Sequence, residues 1–395
     1  MKNIKYNLAS NSWGKEEIKA INDVIKSNHY TMGSKVKKFE QEFSDYFNSK
    51  YAIMTNSGSS ANLLMIASLI HSENYDIKSG DEVIVPAVSW STTYYPVYQY
   101  GLKLVFVDVD RDTLNIDVNE IIKAIGPKTK LIFAVNLLGN SCDFELLHEV
   151  CKNKKIILIE DNCESLGAKY KGKFTGTLGQ MGSFSFFFSH HMQTMEGGMV
   201  LTNDKELYEL CVSLRAHGWI RDLPDNNSIE KKTGDAFYDS FNFVTPGYCI
   251  RPLEMSGAIG SEQLKKLPFF LNMRHKNAKL FNTLFKDEKN FVIQKENGES
   301  SWFGFSIILD NELSGHRDKL VNILKSVDIE CRPIVAGNFT KNPVIKFLDY
   351  KIPGQLKISD EIDKNGFFVG NDFRDLTNEI NYLHTVLKDF EKEFI

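Results

Sequence analysis

The chain has 395 residues, more than one hydrophobic core usually holds, so we expect a large and a small domain. Its formal net charge of -4 gives no general attraction for nucleic acid, and no run of about 18 apolar residues predicts a membrane span. The six cysteines form neither a C-x-x-C pair nor a metal-binding spacing, so we expect no disulfide frame, iron–sulfur cluster or other metal. These features predict a cytoplasmic protein without nucleic-acid or membrane partners.

Strands and helices alternate along the first half of the chain. After two amphipathic helices, apolar runs predict five strands, over residues 51–55, 81–87, 103–109, 130–136 and 155–161. Runs that are apolar on both faces are typical of a parallel sheet covered by helices. Two further runs, over residues 183–188 and 197–203, are separated by only a short connection. That spacing predicts a mixed, mostly parallel sheet rather than a purely parallel one.

The composition changes after residue 250. A long helix over residues 252–285, a strand over 302–309 and a helix over 316–326 are predicted there. We therefore predict a large α/β domain over residues 1–250 and a smaller C-terminal α+β domain over residues 251–395.

Several predicted strands end in residues suited to a phosphorylated aromatic ligand. Ligands of open α/β sheets gather at the carboxyl ends of the strands. After the first strand, small residues from Asn56 to Asn62 open a helix whose free N–H groups suit a phosphate; an ordinary capped turn is the alternative. After the second strand, Trp90 offers an indole on which a flat ring can stack, and core packing is the alternative.

The fifth strand ends in Asp161. Apolar residues and one glutamate precede it, so its carboxylate is costly to bury without a partner. The N–H of a pyridinium ring is such a partner, and keeping that nitrogen protonated makes pyridoxal phosphate an electron sink. The alternative is a cap on the turn that follows, Asn162–Glu164.

Two adjacent histidines, His190 and His191, follow the run over residues 183–188. Neighbours in a strand-to-loop turn face different ways, so at most one is expected to contact a ligand at the sheet edge. Metal binding is disfavoured, because adjacent histidines chelate poorly and no third ligand is suitably spaced. The chain has no lysine between Lys173 and Lys205, so a histidine stands where a lysine would bind pyridoxal phosphate covalently. Histidine can move protons but cannot form that bond.

With these residues the chain resembles the DegT/DnrJ/EryC1/StrS sugar aminotransferase family of fold-type I pyridoxal enzymes over nearly its whole length. The motifs that carry the resemblance are SGSSANL at 57–63, ED at 160–161, GSFS at 182–185 and EGG at 196–198. The resemblance implies an aspartate aminotransferase-like fold, with the cofactor in the large domain. It also implies a homodimer in which each active site is completed by the partner chain.

The resemblance implies a role for each candidate site residue. The residues expected to bind the cofactor are Gly58, Ser59, Trp90, Asp161, Glu164 and Ser185. Glu164 stands where the family tends to carry glutamine, near the hydroxyl of the cofactor ring. The catalytic residue is His190, at the lysine position. Ser189, His217 and Arg221 are expected near the amino donor or the sugar.

Segments such as SHHMQTMEGG at 189–198 resemble a dehydratase branch of this family. That resemblance implies pyridoxal or pyridoxamine 5′-phosphate held without a covalent link and L-glutamate as the amino donor. It implies removal of the C3 hydroxyl of GDP-4-keto-6-deoxy-D-mannose, for the dideoxysugar colitose and O-antigen. An unperturbed histidine titrates near pH ~6.5, so we expect His190 to act first as a base and then as an acid.

Three alternatives remain at this stage. A nucleotide-sugar 4-aminotransferase would retain the nitrogen in its product. A cluster-dependent dehydratase of cytidine-linked sugars also uses histidine, but the missing cysteine cluster argues against it. A pyridoxal-binding regulator without activity is the third, and the retained Asp161, Trp90 and Ser185 argue against it.

Two further points concern Cys249 and the arginines. The family usually has asparagine at the position of Cys249, where it contacts the cofactor phosphate of the neighbouring subunit. A thiol is a weaker donor than an amide, so we expect weaker cofactor retention. The cations that would bind the diphosphate of a nucleotide sugar are not identifiable from the sequence; the candidates are Arg215, Arg221, Arg251 and Arg332.

Overall fold

The structure, a computed structural model, describes residues 5–394. Residues 1–4 and 395, the outer ends of the two predicted domains, lie outside the described residues. The helices of this range are α1 (Lys15–Ser27), α2 (Ser34–Phe47), α3 (Gly58–His71), α4 (Ser91–Gln99), α5 (Val118–Ala124), α6 (Phe144–Lys154), α7 (Lys205–Arg215), α8 (Ala236–Asp239), α9 (Glu254–Phe285), α10 (Arg317–Ser326), α11 (Lys357–Asn365) and α12 (Thr377–Glu391). The strands are β1 (Tyr51–Thr55), β2 (Glu82–Pro86), β3 (Lys103–Val107), β4 (Thr129–Val135), β5 (Ile157–Asp161), β6 (Lys169–Tyr170), β7 (Lys173–Phe174), β8 (Met181–Ser185), β9 (Gly198–Thr202), β10 (Phe291–Ile293), β11 (Gly304–Leu309), β12 (Cys331–Arg332), β13 (Tyr350–Lys351) and β14 (Gly366–Gly370).

Eight strands form the large sheet, in the order β1-β9-β8-β5-β4-β2-β3-β13. Among these strands β9 alone runs antiparallel to its neighbours, β1 and β8. The chain returns from β8 to β9 without a crossover helix, and a parallel neighbour would need one. The predicted mixed, mostly parallel sheet is therefore confirmed, and so are all seven of the strands predicted before residue 250.

Both faces of the large sheet are buried. Along β2, Val83 and Val85 contribute to one hydrophobic cluster together with Met65 of α3. The residue between them, Ile84, contributes to another cluster together with Leu147 of α6. Because side chains alternate between the two faces of a strand, a strand covered by helices on both sides must be apolar throughout.

A second hydrophobic cluster lies around a four-stranded sheet in the order β10-β11-β14-β12. It contains residues from the second half of α9 and from α10 and α12, and also Tyr6 from the beginning of the chain. Strand β13 instead joins the large sheet beside β3, although it follows β11 and β12 in sequence. The predicted division at residues 250/251 stays a prediction.

The predicted long helix, strand and helix of the C-terminal part correspond to α9, β11 and α10. Within residues 5–394, none of the helices combines the length and the apolar content that crossing a bilayer requires.

Candidate active site

The carboxyl ends of β1, β2, β5 and β8 meet at one edge of the large sheet, because these strands run in the same direction. Helix α3 begins there at Gly58, and its N-cap Ser57 accepts a hydrogen bond from the Ser60 N–H at 3.1 Å. A Cβ atom added to Gly58 would lie 2.6 Å from Cβ of Ser185, so only glycine allows this approach. The Ser59 hydroxyl donates to Oγ1 of Thr92 at 3.0 Å. Helix N–H groups and hydroxyls from three segments thus form a cradle suited to a phosphate.

Asp161 is buried at the same edge, with 5% of its surface exposed. Its Oδ2 accepts hydrogen bonds from Asn62 Nδ2 at 2.8 Å and from the Thr93 hydroxyl at 2.7 Å. Its Oδ1 accepts one from the Cys163 N–H at 3.2 Å. Within residues 5–394 no lysine, arginine or histidine forms an ion pair with this carboxylate. A buried carboxylate held only by neutral donors fits a ring N–H that brings the positive charge with it.

Trp90 is the N-cap residue of α4, and 58% of its surface is exposed. An indole exposed to this degree does not pack in the core, so the core-packing alternative is wrong. It closely precedes Thr92 and Thr93, which bond with Ser59 and Asp161, and an exposed indole beside these residues is suited to stacking on a flat ring.

Glu164 lies beyond β5 and accepts a hydrogen bond from the Leu138 N–H at its Oε2, at 3.1 Å. Leu138 has a φ of 53°, in the left-handed region. Burial raises the pKa of Glu164 to about 7, and the nearby charge of Asp161 contributes in the same direction. Near neutral pH this carboxyl therefore exists in both its protonated and its ionised form.

His190 is half-buried after β8. Its ring is edge-on to Phe303 at 5.1 Å and to Phe187 at 6.1 Å between centroids. Its Nδ1 is enclosed and has no hydrogen-bond partner among residues 5–394, so Nε2 is the nitrogen that can meet a ligand. Burial, with the positive charge of Arg274 adding to it, lowers the pKa of His190 to about 3. The expectation of an unperturbed imidazole is therefore wrong, because the ring lies between aromatic side chains beside a cation.

His191 is buried, and its Nε2 bonds with the carbonyl of Ser301 at 3.0 Å. Its ring also lies against Phe303, at 5.8 Å between centroids. That at most one of the two histidines contacts a ligand stays a prediction. Within the described part of the chain, no group of three or more His, Cys, Asp or Glu side chains is placed to bind a metal.

The family model of the DegT/DnrJ/EryC1/StrS aminotransferase family matches residues 11–373. The chain belongs to this family. It is 54% identical over 387 residues to GDP-4-keto-6-deoxy-D-mannose 3-dehydratase of Yersinia pseudotuberculosis, covering 98% of each chain. The fold is therefore the α/β fold of the pyridoxal-phosphate-dependent aminotransferases, as the sequence predicted.

Two solved structures are similar over nearly the whole chain. The E. coli GDP-4-keto-6-deoxy-D-mannose 3-dehydratase with bound hydrated PLP has a TM-score of 0.95 and 52% identity, covering 97% of this chain and 99% of that one. A GDP-4-keto-6-deoxymannose 3-dehydratase with a trapped PLP-glutamate geminal diamine has the same TM-score and identity, covering 97% and 100% of the two chains.

The remaining candidate residues of this family member lie in two places. Ser189 lines a small cavity together with His190 and with Ser10 and Ser12 of the N-terminal segment. His217 and Arg221 instead pack on the indole of Trp219.

The guanidinium of Arg221 lies 3.4 Å from the ring centroid of Trp219. Among residues 5–394, no hydrogen bond or ring contact links His217 or Arg221 to the imidazole of His190. Within one chain these two residues therefore do not contact His190.

The candidate cations for a diphosphate differ in their surroundings. Arg215 is buried, pairs with Glu40 and donates to the carbonyl of Met54 at 2.7 Å, so it supports the fold and is not free to bind a ligand. Arg251 lies 5.4 Å from the Trp219 ring centroid and donates to Sγ of Cys249 at 3.6 Å. Arg332 is exposed on β12.

Residues that the sequence analysis did not assign hold the assigned ones in place. Asn62, Thr92 and Thr93 bond with Asp161 or Ser59. Asn62 follows Gly58 by four residues, one helical turn, and this spacing was a usable signal. The threonines directly follow Trp90 and Ser91 at the beginning of α4, where a side chain can point back to the sheet edge.

Proposed function

We propose that this chain is a 3-dehydratase dependent on pyridoxamine 5′-phosphate. It removes the C3 hydroxyl of GDP-4-keto-6-deoxy-D-mannose and takes its amino group from L-glutamate, in the formation of colitose for O-antigen. The observation that carries the proposal is that a histidine, His190, follows β8 in a stretch with no lysine between Lys173 and Lys205. The relatives named as 3-dehydratases and the structure containing a PLP-glutamate adduct support the same assignment.

The residues at the sheet edge fit this cofactor. The cradle formed by Gly58, Ser59 and Ser185 suits its phosphate, and the exposed indole of Trp90 suits its ring. The buried carboxylate of Asp161, which has three neutral donors, suits the protonated ring nitrogen. All of these contacts are non-covalent, because a histidine occupies the position at which a lysine would form the covalent link.

When bound, the cofactor supplies an amino group for the C4 ketone of the sugar and a ring that accepts electrons. Asp161 keeps the proton on the ring nitrogen. His190 would accept a proton at Nε2 from the C4′ carbon and would deliver it to the oxygen on sugar C3, which leaves as water; hydrolysis would then release the amino group at C4 as ammonia. Bound phosphates would favour the positive imidazolium and so would oppose the lowering of the His190 pKa by burial.

The second candidate is a nucleotide-sugar 4-aminotransferase, and membership of an aminotransferase family is the observation that favours it. In that reaction a proton is delivered to sugar C4 and the nitrogen stays in the product. A flexible lysine ammonium suits this delivery, whereas the imidazole of His190 is held between two aromatic rings.

We also propose that the protein acts as a cytoplasmic homodimer with shared active sites and without a metal. Large aromatic side chains are exposed around α8, with 89% of Phe237 and 71% of Phe241 accessible. Tyr238 and Phe243 are exposed beside them. An apolar surface of this kind supports coverage by a second copy of the chain.

The proposed function is tested by mass spectrometry of the products made from enzyme, pyridoxal phosphate, L-glutamate and GDP-4-keto-6-deoxy-D-mannose. We expect a sugar that has lost its C3 hydroxyl, one free ammonia for each turnover, and no pyridoxyl adduct on the protein after borohydride treatment. An amino sugar of unchanged C3 oxygen content would instead establish the aminotransferase. Enzyme incubated without glutamate is the control.

A further inference from the structure

Arg274 is a buried arginine in α9, with 4% of its surface exposed. Its Nη1 donates to the backbone carbonyls of Trp302 at 3.0 Å, Phe303 at 3.1 Å and Asn371 at 2.6 Å. Within residues 5–394 no carboxylate lies at ion-pair distance from it, and its Nε has no hydrogen-bond partner. A neutral amide could serve some of these carbonyls, so hydrogen bonding alone does not account for a buried charge.

Two of the three carbonyls that Arg274 binds, those of Trp302 and Phe303, belong to a turn that contacts both histidines. The ring of Phe303 lies 5.1 Å from that of His190 and 5.8 Å from that of His191. Trp302 in this turn has a φ of 49°, a left-handed conformation that is strained for a non-glycine residue. A turn in this conformation needs support from its surroundings. The guanidinium of Arg274 provides that support through its hydrogen bonds to the carbonyls of Trp302 and Phe303.

The charge of Arg274 also faces His190, since both side chains line the same small cavity. The other titratable groups that line this cavity are His191 on the same loop and Asp372 after β14, and His275 on α9 lies near His191. The carboxylate of Asp372 already accepts three hydrogen bonds from the guanidinium of Arg374, at 2.8 to 3.1 Å, and one from its backbone N–H at 2.8 Å. Arg274 therefore remains an incompletely neutralised cation in a site with little water, where it disfavours a second positive charge.

We propose that Arg274 is a positioning residue for His190: it fixes the Phe303 turn against the imidazole and disfavours a positive charge on that ring until anionic ligands bind. The proposal rests on the function proposed above, because that function makes His190 the proton carrier. The same charge makes the protonated ring a stronger acid, which assists delivery of the proton to the departing hydroxyl. Burial and Arg274 both lower the pKa of His190, in agreement with this role.

The direct test is an NMR titration of cofactor-free protein with ¹⁵N-labelled imidazoles. The chain has nine histidines, and the signal of His190 is assigned by its loss in His190→Asn. In Arg274→Met we expect the His190 midpoint to rise by about one pH unit, because a like charge has been removed. In Arg274→Lys, which keeps the charge, we expect the midpoint of the unchanged protein. Arg274→Gln removes the charge while keeping an N–H donor for the backbone carbonyls, and replaces Arg274→Met if that variant does not fold.

Lys276→Met is the matched control, since this lysine lies on the outer face of the same helix and pairs with Asp375. We expect Lys276→Met to leave the titration midpoint of His190 unchanged. An unshifted His190 midpoint in both Arg274→Met and Arg274→Gln overturns the inference.

Steady-state dehydration measurements separate the positioning role from the charge. A lysine ammonium lacks the planar fork of the arginine guanidinium, so it cannot donate to the three carbonyls in the same geometry. In Arg274→Lys we therefore expect kcat to fall about tenfold, at an unchanged KM, because misplacing a proton-transfer group weakens general acid–base catalysis. A wild-type kcat in Arg274→Lys contradicts the positioning role. If the unchanged enzyme makes an amino sugar, the proposed function fails, whereas the NMR titration still decides whether Arg274 controls the protonation of His190.

Discussion

Two sides of the candidate active site hold their key groups by opposite means. On the side that we call the cofactor edge, formed by Gly58, Trp90, Asp161 and Ser185, the central carboxylate accepts three hydrogen bonds from neutral donors. On the other side the imidazole of His190 makes no side-chain hydrogen bond within the described residues and is held by aromatic rings.

This difference suggests how binding and reaction type are separated in the molecule. A hydrogen-bonded carboxylate has one charge state and one orientation, so the cofactor edge can serve any reaction that needs an electron-accepting pyridine ring. A ring held only by packing can be replaced without leaving a buried polar group unpaired. We therefore expect changes at His190 to alter the reaction while sparing cofactor affinity, and changes at the cofactor edge to do the reverse.

The largest effect is expected from His190→Lys. The new amine can bond covalently to pyridoxal phosphate, and the lost imidazole removes a general acid–base contribution of about 10²- to 10⁴-fold. Mass spectrometry after borohydride treatment should find a pyridoxyl adduct, while 3-deoxysugar formation drops by at least about 100-fold. His190→Asn is the control that loses proton transfer without gaining an adduct. Rapid 3-deoxysugar formation by His190→Lys would sink the assignment of His190.

A smaller effect, of the opposite kind, is expected from Asp161→Asn. The new amide loses the charge opposite the ring nitrogen and places a donor against Asn62 Nδ2. Losing a hydrogen bond to a charged group costs about 1.5–3 kcal/mol, so the Kd for pyridoxal phosphate should rise about 10- to 100-fold. Titration by absorbance measures this constant, and His190→Asn should leave it within about twofold of the unchanged protein. Equal losses of affinity in both variants would remove the contrast between the two sides.

Glu164 links the two sides, and its pH dependence gives the third prediction. Its folded pKa of about 7 lies above its ordinary value of 4.5, so ionisation costs more in the folded protein than in the unfolded chain. The stability contributed by the protonated group is full below about pH 4.5 and is lost as pH rises through about 7. Relative to Glu164→Gln, the Tm of cofactor-free protein should therefore fall by about 2–4 °C between these limits. A difference in Tm that does not change with pH would show that Glu164 is not held in its protonated form.

The sequence predicts best what depends on local patterns. The strands β1 to β5 are predicted to within two residues because both of their faces are apolar, and Asp161 and His190 are candidates because strand ends meet at one edge. The two-residue strand β13 was missed, since its pairing with β3 depends on the path of the intervening chain. Arg274 was missed for a related reason: its partners are backbone carbonyls, which no pattern of side chains reveals.

The smallest effect is expected at Cys249, where the family usually has asparagine. The side chain is exposed, and among residues 5–394 its Sγ accepts one hydrogen bond, from Arg251 at 3.6 Å. In the proposed homodimer an amide at this position would donate to the cofactor phosphate of the neighbouring subunit, which a thiol would do weakly. Cys249→Asn should therefore lower the Kd for pyridoxal phosphate about two- to tenfold, the contribution of one hydrogen bond.

Cys249→Ala is the control for this substitution, and it should leave the Kd unchanged if the thiol makes no useful contact. An unaltered Kd in Cys249→Asn as well would mean that the position does not face the cofactor. Because the contact crosses between subunits, the gain should also disappear when the protein is diluted to monomers, as followed by analytical ultracentrifugation. If the gain in affinity for pyridoxal phosphate is lost on dilution, it comes from a contact with the cofactor edge of the partner subunit and not from a change within one chain.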